Sequence, residues 1–296
     1  MEPRGLQPAW LRARRVTHSV GPGRARGRRR ASIRAGGVTV VTSEGIGRIV
    51  AVGASNLTRG FHSVVATARS VWGPDVEVLA ALGHGRSYGG ASTFLVRGLP
   101  GILQSGLWRE LESRPPVPTR ALVTDVGNDI MYGYPPAQIL EWVEECVARL
   151  QQFSPDVVIT GLPHAAVAGL PAGRYLLFRS IFFPRCRLAL NDTMRIAAAV
   201  DAGLQAIAAN RGASFLRLKQ EWYGLDPIHI RPGMWVAAWQ EILLGGQQAV
   251  ARGRATRREA VRLYCLLPER ASFLGRERRT PQRGVALRGG GRVWLY

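Results

Sequence analysis

Short apolar runs alternate along the middle of the chain with longer stretches of helical period. Five runs, Arg48–Gly53, Val76–Leu82, Arg120–Thr124, Asp156–Gly161 and Ser214–Leu218, read as strands, and most are rich in Val, Ile or Leu. Consecutive apolar positions of this kind suit strands covered on both faces, as in a parallel sheet. The intervening spacing predicts helices over Leu57–Trp72, about Ser92–Arg97, Pro136–Gln152, Cys186–Arg211 and Pro232–Leu244. In the third, Ile139, Trp142, Val143, Cys146, Val147 and Leu150 share one face. In the fourth, Ile196, Val200, Leu204 and Ile207 form one stripe. Pro232 stands at a helix start, where its missing N–H costs little. Strand and helix in alternation predict an α/β protein: three α/β/α layers around a central parallel five-stranded sheet. Residues 162–184 fit no clean pattern, and their apolar side chains suit either a pocket wall or the core.

The net charge of +20 over 296 residues suggests nucleic acid, but its distribution argues against that partner. Residues 1–45 hold ten Arg against two Glu, and residues 251–296 hold twelve Arg against three Glu. Residues 46–250 carry only +3, and the chain has a single lysine, Lys219. The organisation expected is an Arg-rich, mostly disordered extension over 1–45, a domain over 46–250, and a basic, partly disordered extension over 251–296. Ala260–Leu267 is the exception there, with the pattern of a helix or strand. No run of 18 uncharged apolar residues exists, so no membrane span is expected. No apolar stretch follows the arginine clusters near the start, so no signal peptide is recognisable and a cytoplasmic location is expected. Cys146, Cys186 and Cys265 form no pair at redox or metal spacing. The five histidines show no metal-binding spacing either, so neither metal nor organic cofactor is expected.

Four segments near strand ends carry candidate chemistry, where an open α/β sheet gathers its sites. Gly53-Ala54-Ser55-Asn56 puts a hydroxyl at the start of a helix, as nucleophile or as helix cap. Gly83-His84-Gly85-Arg86-Ser87 offers a backbone N–H free of side-chain obstruction at Gly85, with Arg86 placed to hold an anion or brace the loop. His84 is the other histidine with a route to a substrate. Asp125-Val126-Gly127-Asn128-Asp129 offers the Asn128 amide to a developing oxyanion, or an ordinary turn. Asp226-Pro227-Ile228-His229 lets a carboxylate fold back on an imidazole, fixing its tautomer for work as a general base.

In this order the four segments resemble the blocks of the SGNH hydrolases, also called the GDSL esterase and lipase family. The resemblance spans about 46–248. It implies a flavodoxin-like fold and a serine hydrolase cleaving a short-chain acyl or acetyl ester. It also implies Ser55 as nucleophile, His229 as base and Asp226 as its partner. The oxyanion hole would be the N–H groups of Ser55 and Gly85 with the Asn128 amide. A small-molecule or carbohydrate ester is the implied substrate. Two positions depart from the family pattern: Ala54 replaces the usual aspartate, and Val126 replaces a glycine that appears one residue later. An O-acyltransferase with the same machinery, or a binding protein that keeps only the fold, are the alternative readings.

Overall fold

A computed structural model describes residues 46–246 and 255–296. The segment 1–45 therefore lies outside the described residues. In chain order the elements are β1 (Arg48–Val52), α1 (Ser55–Trp72), β2 (Glu77–Ala81), β3 (Ser92–Phe94), β4 (Arg97–Leu99), α2 (Leu107–Ser113), β5 (Thr119–Val123), α3 (Asn128–Met131) and α4 (Pro136–Gln151). They continue with β6 (Asp156–Thr160), α5 (His164–Ala168), α6 (Ala172–Phe182), α7 (Leu190–Arg211), β7 (Ser214–Leu216), α8 (Trp235–Leu243), α9 (Arg257–Tyr264), β8 (Arg270–Phe273), β9 (Arg276–Arg279), β10 (Val285–Ala286) and β11 (Arg292–Leu295).

The five expected strands form one parallel block in the order β2-β1-β5-β6-β7. Counted among themselves, these strands run 2-1-3-4-5, the doubly wound order of flavodoxin-like folds. Alternate residues of β1 face opposite layers. Val50 and Val52 pack with α4 and α7 through Val143, Val147, Val200 and Leu204. Ile49 and Ala51 pack with α1 and α8 through Phe61, Val64, Trp239 and Ile242. Both faces are thus dry, which is why the strands read as continuous apolar runs. The fold is a three-layer α/β/α sandwich.

Three expectations need correction. The sheet has seven strands: β11 pairs in parallel with β2, and β10 pairs antiparallel with β11. The C-terminal segment is accordingly built into the domain from residue 255 onward. Val293, Trp294, Leu295 and Tyr296 are all buried, and their apolar area is what a sheet edge needs to close it. Second, Ser92–Arg97 is not helical. It belongs to a hairpin, β3–β4, which joins β8 and β9 in a separate four-stranded antiparallel sheet. Third, the helix expected from Cys186 begins at Leu190, and Pro232–Met234 is a 3-10 turn leading into α8.

Candidate active site

The chain order reverses between β1 and β5, which puts the loops after both strands beside one crevice. Ser55 is the first residue of α1, and Ala54 before it has no side chain to cap the helix. The first N–H groups of a helix lack partners inside it. Here a distant carboxylate supplies one: Asp125, just past β5, accepts from the backbone N–H of Ala54 at 3.0 Å and of Leu57 at 2.9 Å. Its other oxygen accepts from the Asn56 side chain at 2.9 Å. A negative charge at a helix N-terminus also suits the helix dipole. Asp125 adopts φ 61°, the left-handed region that short polar side chains tolerate. The turn therefore bends at Asp125, whereas Gly127 is ordinary helical backbone at φ −63°. Val126 is fully buried in the core.

Asn56 ties this turn to the loop that carries the histidine. Its amide donates to the carbonyl of Ile228 at 2.9 Å, and its carbonyl oxygen accepts from the N–H of Ile230 at 2.8 Å. His229, held between these two, is 7% exposed. Its Nε2 lies 3.0 Å from Ser55 Oγ, and its Nδ1 lies 2.6 Å from Asp226 Oδ2. An ionised carboxylate only accepts, so Nδ1 carries the proton and Nε2 is left to accept from the serine. Asp226 Oδ1 accepts from the N–H groups of Ile228 and His229, both at 3.2 Å. Burial pushes the Asp226 carboxyl up, but the His229 hydrogen bond and charge, the Ile228 N–H and Arg59 together hold it below its ordinary value. Hydroxyl, imidazole and carboxylate in this sequence can move a proton off the serine as it attacks.

The remaining residues named from sequence lie on adjoining loops. Gly85 has φ +66°, which favours glycine, and a Cβ there would stand 2.8 Å from the Tyr132 hydroxyl and displace it. That hydroxyl donates to the Gly85 carbonyl at 2.5 Å. Asn128 opens α3, lines the same cavity as Ser55, and donates to the Arg86 carbonyl over a long 3.4 Å. Arg86 is a brace rather than an anion site. It is fully buried and donates to the carbonyls of Leu82, Pro100 and Tyr296. Asp129, also fully buried, accepts from the Tyr88 N–H at 2.9 Å and so joins the loop after β2 to the loop after β5. Burial raises its carboxyl to about 6 against bonds from Ser87 and Tyr88. His84 bonds to the Tyr264 hydroxyl at 3.1 Å and leans on Phe94.

Beside Ser55 opens a cavity of about 150 Å³. Much of its wall comes from the stretch without a clean pattern, 162–184, through Leu162, Val167, Leu170, Phe178 and Phe182, with Met194 of α7 beside them. The ring of Phe182 also meets His229 edge to face at 6.1 Å. Sequence reasoning missed two residues of this site, Asp125 and Asn56. Both lie inside the candidate segments, yet their partners are about 70 and 170 positions away.

No protein-family model and no curated protein matches the chain. Among solved structures it is similar to Est24, a carbohydrate acetylesterase from Sinorhizobium meliloti, at 13% identity over 66% of this chain and 96% of that one, with a TM-score of 0.45. A member of the lipolytic protein G-D-S-L family from Veillonella parvula matches at 12% identity, over 66% and 95%, with a TM-score of 0.41. The psychrotrophic esterase EstA from a Pseudoalteromonas species matches at 12%, over 68% and 96%, with a TM-score of 0.40. Each of these matches covers about two thirds of the chain.

Proposed function

We propose that the chain is a serine hydrolase that cleaves a carboxylic ester through an acyl-enzyme on Ser55. The observation that carries this reading is the single line of contacts from Ser55 Oγ to His229 Nε2, and from His229 Nδ1 to Asp226. His229 takes the serine proton as Oγ attacks the ester carbonyl, and Asp226 stabilises the imidazolium that results. The oxyanion is met by the N–H groups of Ser55 and Gly85 and by the Asn128 amide. The long Asn128 bond to Arg86 leaves that amide little committed elsewhere. One such donor is worth roughly 3 kcal/mol in the transition state. His229 then protonates the leaving alcohol. Water, activated in the same way, attacks the acyl-enzyme, releases the acid and restores Ser55.

The apolar wall supports an acyl group longer than acetyl, since each methylene buried there contributes about 0.8 kcal/mol. A p-nitrophenyl ester series from acetyl to decanoyl tests both parts of the reading. Turnover is expected in the wild type, rising with chain length beyond acetyl, and lost in Ser55→Ala and His229→Ala. Turnover that survives in both variants contradicts the site. Adding a polyol acceptor and analysing products separates hydrolysis from acyl transfer.

A further inference from the structure

Exposed apolar side chains gather on α6 and on two hairpin tips. On α6, Leu177 and Ile181 stand one turn apart and are 59% and 57% exposed, with Leu176 beside them. The β3–β4 hairpin ends in Leu95 and Val96, and the β8–β9 hairpin ends in Phe273 and Leu274. Leu95 is 79% exposed and Leu274 is 69% exposed. The two tips are joined by the Leu274 N–H, which donates to the Val96 carbonyl at 2.9 Å. Phe94 of the first hairpin stacks on Phe182 of α6 at 6.4 Å, and Phe182 in turn meets His229. Hairpin and helix are therefore joined beside His229 through Phe94 and Phe182.

Two details set this surface apart from scattered exposed apolar residues. Leu95 has φ 55° and Leu274 has φ 48°. A hairpin tip in the left-handed region favours Asn, Asp or Gly, and leucine there is strained. Among the described residues, these exposed, strained leucines at two joined tips serve no packing purpose. The surroundings are also cationic. Residues 270–279 hold Arg270, Arg276, Arg278 and Arg279 against Glu277 alone, and residues 172–187 hold Arg174, Arg179, Arg185 and Arg187 with no acid.

We propose that this collar docks on an anionic lipid surface, with the leucines of the two hairpin tips and of α6 entering the headgroup boundary and the arginines meeting lipid phosphates. Apolar insertion and electrostatic attraction to anionic lipid act together in interfacial binding. Docking in this orientation would set the entrance to Ser55 against the lipid. Among the described residues no helix is long and apolar enough to cross a membrane.

The test is co-sedimentation of the full-length chain with vesicles of phosphatidylcholine alone or mixed with phosphatidylglycerol. The variant is Leu95→Asn with Leu274→Asn, because asparagine relieves the left-handed strain and keeps the hairpins folded. The wild type is expected to bind the mixed vesicles, more weakly as salt is added, and the double variant about tenfold less tightly. Its turnover of a soluble short-chain ester is expected to be unchanged. Equal vesicle binding by both proteins overturns the proposal and assigns the affinity to the Arg-rich ends. So does failure of the wild type to bind, or a wild-type dimer that the substitutions convert to monomer, which would make a second copy the occupant. Vesicle binding is read without turnover, so its outcome is independent of the esterase reading.

Discussion

The backbone N–H of Ala54 donates to the carboxylate of Asp125 at 3.0 Å, across 71 positions of sequence. The same carboxylate receives Leu57 and the Asn56 side chain, so one residue organises the turn that presents Ser55. Ala54 contributes nothing to this beyond its backbone and a buried methyl.

Asp125→Ala leaves these donors without an acceptor and puts a Cβ-bearing apolar residue at φ 61°. A loss of about 1–3 kcal/mol in stability is expected, together with a fall in kcat larger than the change in KM. Asp125→Asn tolerates the backbone conformation but keeps one acceptor oxygen, and should fall between the two. Denaturant unfolding and ester kinetics on the three proteins give the order.

Asp226→Asn tests the orienting role. The amide cannot hold the Nδ1 proton as a carboxylate does, so kcat should drop by about two to four orders of magnitude while KM changes little. The wild-type carboxyl sits below its ordinary value, so its stabilising contribution is present above about pH 4 and is lost as the pH falls through the lower folded value. Melting curves of wild type and Asp226→Asn should therefore converge toward acid.

His84 works in the same direction, over a higher pH range. Burial, with help from Arg59, His229 and Arg97, pushes its imidazole down to about 4. Between that value and about 6.5 the unfolded chain binds the proton that the folded chain refuses, so stability falls as the pH drops through this window. His84→Gln should flatten that part of the stability curve. The curve is read from thermal midpoints at several pH values.

How far the sequence announces this molecule differs by element. Strands β1, β2, β5 and β6 are legible because both of their faces are buried, leaving unbroken Val, Ile, Leu and Ala runs. Strand β3 has three residues, and β4 takes its second partner from β8, some 175 positions on, so no local pattern announces either. Strand β11 hides in a four-residue apolar ending that makes sense only beside β2. The site divides similarly. Asp226 and His229 lie three apart within one turn and read as a pair. Asp125 reads as a turn residue, because its helix lies 70 positions earlier.

On the proposed reading, the wall of the cavity sets acyl length. Val167→Trp places a large ring where α5 lines the space. Turnover of octanoyl ester should fall at least about tenfold while acetyl ester changes by less than about threefold. A uniform loss across chain lengths would locate the acyl group elsewhere. Side-by-side kcat/KM values decide between these.

The central claim is that Ser55 is a nucleophile activated by His229. Reaction with a fluorophosphonate probe, followed by peptide mass mapping, measures this directly. One adduct is expected in the wild type, on Ser55, absent in Ser55→Ala and strongly slowed in His229→Ala. Labelling at another residue, or a folded wild type that takes no label, would contradict the account.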